Sequence, residues 1–123
     1  MTKTLFAVLE RNFEYNDEGY DVGEGGNVVR AFTTLQAAEA HALKCSVARL
    51  KHSAELLAGS HIGDVFTEEA AKFLYENGLD EDNYIPHDTH MFSTLSDEDL
   101  ETLCLNINDY YKFFFVQSVE VEE

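Results

Sequence analysis

From Leu35 to Ala58 the chain runs without a glycine or a proline and is rich in alanine and leucine. Ala40, Leu43, Val47, Leu50, Ala54 and Leu57 recur in steps of three and four, the spacing that lines one face of an α-helix. Thr33, followed three residues later by Gln36, has the form of a capping box, and Gly59 is a stop signal. At 1.5 Å per residue such a helix would be about 37 Å long, close to the whole diameter of a domain of this size. A rod of that length with one apolar stripe has to lie across something, and the rest of the chain supplies a sheet.

Leu5-Phe6-Ala7-Val8-Leu9 reads as a strand buried on both faces, and Phe13 and Tyr15 continue the phase of Leu5, Ala7 and Leu9. Asn16-Asp17-Glu18-Gly19 is a turn signal, and Tyr20-Asp21-Val22 begins a return strand. Gly23 to Asn27 reads as a second, looser turn before another short strand, Val28 to Phe32. At the far end, Tyr110 to Val121 reads as a strand with Tyr111, Phe113, Phe115, Val119 and Val121 on one face and Tyr110, Phe114 and Val116 on the other. So apolar a strand at a sheet edge would invite aggregation, so its expected place is central, beside the first strand. Phe113 and Phe115 are then expected to be buried against the helix.

Two shorter helices are expected between. Thr67-Glu68-Glu69 opens one, with acids where the helix dipole favours them; Ala70, Phe73 and Leu74 form its apolar face, and Gly78 ends it. Leu79 to Thr94 reads as an irregular acidic loop around Pro86. Ser96 caps the other helix, with Leu100, Leu103 and Cys104 inward. The fold class that follows is α+β. A two-layer sandwich is expected: a small, mostly antiparallel sheet of about three or four strands packed by one long helix, with two shorter helices before a C-terminal central strand. The 123 residues, 45% of them hydrophobic, suit a single domain over 1–123.

Charge is the main functional signal. There are 24 acidic residues against 8 basic ones, a net charge of −16. Residues 60–109 hold 13 of those acids and Lys72 as their only cation, while residues 1–59 are nearly balanced at net −2. A field of that sign repels nucleic acid and anionic membranes and attracts basic surfaces. No apolar run approaches the roughly 20 residues of a membrane span. Neither a secretory leader nor a need for a disulfide between Cys45 and Cys104 is visible, so a cytoplasmic protein is expected.

Constellations for chemistry are incomplete. His87 and His90 flank Asp88 and could share a metal with a carboxylate, recruiting His61, Asp64 or Glu68 through the fold, but no third ligand stands at a recognisable spacing. His41 and Cys45, four apart on the long helix, could pair an imidazole with a thiol, without an orienting acid or an oxyanion donor in view. Asp80-Glu81-Asp82-Asn83 lacks the spacing of an EF-hand, and Gly23, Gly25 and Gly26 precede a strand rather than a phosphate-binding helix. Lys44, Arg49 and Lys51 are expected to be internal partners of the acidic segment. No zinc, calcium or organic cofactor is expected.

The expected function is therefore non-catalytic: an acidic domain docking on a basic protein partner, of the inhibitor, immunity-type or nucleic-acid-mimic kind. Its candidate contact residues are Asp80, Glu81 and Asp82 in the loop and Asp97, Glu98 and Asp99 at the start of the third helix. The alternative is a small metal- or thiol-dependent enzyme using His87 and His90 or His41 and Cys45. Ala38, Ala42, Ala48 and Leu56, left over beside the helical stripe, suggest pairing of two copies through the long helix.

Overall fold

The computed structural model describes residues 2–16, 19–57, 60–77, 85 and 90–122. The described residues form an α+β fold: a three-stranded antiparallel sheet with a long helix against it and shorter helices beyond. The strands are β1 (Thr2–Asn16), β2 (Gly19–Phe32) and β3 (Phe114–Glu122), in the order β2-β1-β3. The helices are α1 (Leu35–Ser53), α2 (Ile62–Val65), α3 (Glu68–Glu76), α4 (His90–Thr94) and α5 (Asp97–Leu105), with 3₁₀ turns at Ala54–Leu57 and Asp109–Tyr111.

The expected second turn at Gly23–Asn27 is instead strand. Pairing with β1 runs through Arg11↔Gly26 and Glu10↔Asn27, and register shifts between Val8 and Leu9 and between Arg11 and Phe13 absorb the irregularity. Gly26 permits close approach rather than reversal. A Cβ there would stand 2.8 Å from the Glu10 carbonyl oxygen and 3.2 Å from the Phe115 ring. Of the expected first turn, Asp17 and Glu18 lie outside the described residues.

β3 lies beside β1, as its composition suggests, but β1 is the central strand and β3 is at the edge. The expectation of a central β3 assumed that hydrophobicity alone sets sheet position. The helices cover only the approach to β3 and its start: Phe113 and Phe114 are buried, Phe115 and Val116 half-buried, and Gln117 to Glu122 exposed. Tyr110 and Tyr111 belong to the 3₁₀ turn, not to the strand.

Helix α1 is capped by Thr34, whose Oγ1 accepts from the Ala37 N–H at 3.2 Å, one residue later than the expected Thr33. Its buried line is Ala38, Ala42, Ser46 and Leu50, with Leu43 and Val47 packed at the flanks and Ala40 exposed. Small residues let the helix backbone sit close to its neighbours, so the seam follows size rather than hydrophobicity. Ala38 and Ala42 are thus core, which removes the helical surplus argued for pairing two copies; Ala48 is exposed and Leu56 packs against the core. The helix tightens into the 3₁₀ turn after Ser53, short of the expected Ala58.

The core lies on the helical side of the sheet. Phe6, Val8 and Phe32 meet α1 from the sheet, and Leu57, Ile62, Phe66, Leu74, Phe92, Leu100 and Leu103 fill the space among the helices. The expected irregular loop contains α4, which buries Phe92, and Ile85 is also buried. A bridge between Phe66 and Ile107, with the Thr67 N–H donating to Asn106 O and the Asn108 N–H to Val65 O, ties the α2–α3 junction to the end of α5. Leu5, Ala7 and Leu9 alternate to the opposite face. Neither they nor Phe115, Val119 and Val121 belong to the core cluster. Among the described residues, no helix is long and apolar enough to cross a membrane.

Candidate functional site

Among the described residues, the acids of the 60–109 segment sit on the helices and the turns that join them. Helix α5 starts at Ser96, whose Oγ accepts from the Asp99 N–H at 3.1 Å, so Asp97, Glu98 and Asp99 form its first turn. Asp97 and Glu98 are exposed and Asp99 is half-buried. Helix α3 begins after Thr67, which makes no side-chain cap bond and instead donates its hydroxyl to Asn106 Oδ1 at 3.3 Å; its first turn presents Glu68 and Glu69 to solvent. Each first turn gains from the helix dipole, so these carboxylates have a structural reason to be there as well.

Packing brings the two turns into relation. A groove of about 120 Å³ between α3 and α5 is lined by Glu69 and Asp99, with Phe73 and Leu103 on its apolar side and Thr102 and Asn106 at its rim. Asp99 is among the candidate contact residues; Glu69 is in sequence only a complement to the helix dipole. The usable signal was that both are first-turn acids of short helices with apolar faces, which must pack side by side. Asp80, Glu81 and Asp82 lie outside the described residues.

Cations are few on this surface. Lys51 Nζ stands 3.6 Å from Asp97 Oδ1, reaching the acidic segment as expected. Arg49 does not; it pairs with Glu10 of β1 and lies over the Phe114 ring, with its Cζ 5.4 Å from the centroid. Lys44 forms no ion pair among the described residues. Asp109 meets Lys112 at 3.0 Å. Glu68, Glu69, Glu76, Glu98, Asp99 and Glu101 have no cation within 4 Å among the described residues.

The residues considered for chemistry are dispersed. His41 Nε2 and Cys45 Sγ are 3.5 Å apart on α1, and the His41 ring packs 5.3 Å from that of Phe32. The backbone amides around Cys45 are committed to the helix and so do not serve as oxyanion donors. His61 caps α2, its Nδ1 accepting from the Gly63 N–H at 3.2 Å. His87 and the His90 side chain lie outside the described residues. Among the described residues no three His, Cys, Asp or Glu side chains gather into a group able to hold a metal. Burial pushes the Cys104 thiol up to about 12, reinforced by Glu101, so it is protonated and unreactive at neutral pH.

A larger cleft, about 560 Å³, runs between α1, α5 and the outer side of β3, with Arg11 and Lys112 at one end. The Arg11 guanidinium donates to the carbonyls of Lys112 at 2.8 Å and Asp109 at 3.0 Å, and its Cζ lies 4.6 Å from the Phe115 ring centroid. Desolvation lowers its pKa, against the raising influence of Asp109 and Tyr110. Comparison of the chain with family models, with curated proteins and with solved structures finds no match in any of the three.

Proposed function

We propose that this chain is a non-catalytic binding domain whose acidic helical surface docks on a basic protein, in the manner of an inhibitor, an immunity-type protein or a nucleic-acid mimic. The observation that supports this reading is the run of carboxylates on α3 and α5 that have no cation of their own among the described residues. Carboxylates left unneutralised at a surface project a negative field, and a basic partner is what such a field recruits. The groove between Glu69 and Asp99 offers an apolar side to the stem of an arriving lysine or arginine and carboxylates to its head. The acids Asp80, Glu81 and Asp82 extend the same charge in sequence. Both cysteines are free thiols, in keeping with a cytoplasmic setting.

The test is capture on the immobilised whole chain from an extract of its source cells in low salt, followed by charge reversal. Replacing Asp80, Glu81 and Asp82 with Lys should leave the fold intact and weaken the captured basic protein many-fold. Capture of no basic protein, or equal capture by the reversed chain, would count against the proposal.

A further inference from the structure

The backbone of β3 has one satisfied side and one open side. Among the described residues it pairs with β1 alone, through a register that runs from Glu10↔Phe114 to Thr2↔Glu122. The Arg11 N–H donates to Phe113 O at 2.8 Å in the same register. In an antiparallel ladder hydrogen-bonded and non-hydrogen-bonded pairs alternate. Phe115, Gln117, Val119 and Val121 therefore turn their backbone groups toward β1, while Phe114, Val116, Ser118, Glu120 and Glu122 turn theirs outward. The consecutive residues Phe114, Phe115 and Val116 all line the cleft, as an open strand edge would. From Phe114 to Val119 this edge has no charge and no proline to blunt it.

We propose that this edge pairs with the β3 edge of a second copy, antiparallel about a two-fold axis at Ser118. Self-complementarity selects the occupant. Cations flank the start of β3, Arg11 on β1 and Lys112 just before the strand, and acids stand at its end, Glu120 and Glu122. Reversing one copy against the other brings each acidic end to the other's basic end. With the axis at Ser118, Glu122 faces Phe114 and Glu120 faces Val116, so no acid opposes an acid. Phe115 meets Val121 and Gln117 meets Val119 on the face the helices leave uncovered, joining the apolar strips of Leu5, Leu9 and Val119 of both copies. The surface pair of Lys112 with Asp109 is exchangeable for the incoming carboxylates.

The test is sedimentation equilibrium of the whole chain over about 5–500 µM, with two variants. Ser118→Pro removes an outward donor but no bond to β1, because proline is tolerated on the solvent side of an edge strand. Ser118→Lys, at an exposed position, sets two cations against each other across the axis. The expected result is a monomer–dimer equilibrium whose dissociation constant rises at least about tenfold in either variant, with unchanged circular dichroism. If one variant misfolds, the other decides. Because each copy has a net charge of −16, dimerisation should strengthen with salt, whereas docking on a basic partner should weaken. The two readings thus fail separately. A wild-type chain that stays monomeric throughout, or a Ser118→Lys chain that dimerises equally well, would overturn the proposal.

Discussion

Single residues set the boundaries of this fold. Thr33 and Thr34 differ chemically in nothing, yet only Thr34 holds the α1 cap, because its extended backbone aims Oγ1 at the Ala37 N–H. Thr34→Ala should cost about 1 kcal/mol and Thr33→Ala close to nothing, measured by urea denaturation. Cys104 offers a pH test. Its thiol is held protonated in the folded chain up to about 12 and ionises near its ordinary value once unfolded. The unfolded chain therefore releases the proton first, and stability should fall as pH rises from about 9 toward 12. In Cys104→Ala that part of the alkaline loss should vanish; an unchanged pH profile would show that burial does not raise this thiol.

At the scale of elements, β3 separates hydrophobicity from burial. Phe113 is 2% exposed and packs 5.6 Å from the ring of Phe13, while Phe115 is half-buried and outside the core. Phe113→Ala should cost about 3–5 kcal/mol, enough to unfold a small domain, and Phe115→Ala markedly less. Equal losses in thermal denaturation would show that Phe115 is as fully covered as Phe113. Elements whose signals are local were readable from sequence. Ser96 and Thr67 mark the starts of α5 and α3, and Leu100, Leu103 and Cys104 are buried as their spacing requires. What was illegible depends on partners far away in the chain. The glycines of β2 look like a turn until β1 is laid beside them. The seam of α1 runs through Ser46, a polar residue that hydropathy does not select. The short helices α2 and α4 have too few residues to display a period. For the candidate site, the acids could be counted but their neighbours could not: only packing places Glu69 across a groove from Asp99.

For the whole molecule, charge and fold are segregated. The sheet's open face is largely apolar, whereas the described acids of residues 60–109 lie on the helical layer with few cations to answer them among the described residues. Self-repulsion at net −16 should make the fold more stable in salt, with a melting temperature that rises by several degrees between dilute buffer and about 0.5 M salt. A flat or falling melting temperature would show that paired charges govern stability instead. The same field is what the proposed function uses. The most direct test is the association rate of the captured basic partner, followed by stopped flow from about 0.01 M to about 1 M salt, as the Debye length shrinks from about 30 Å to about 3 Å. The rate should fall at least about tenfold across that range, and the chain with Lys at 80, 81 and 82 should start lower and fall less. A rate indifferent to salt, or a reversed chain that associates as fast as the native one, would contradict docking through the acidic surface.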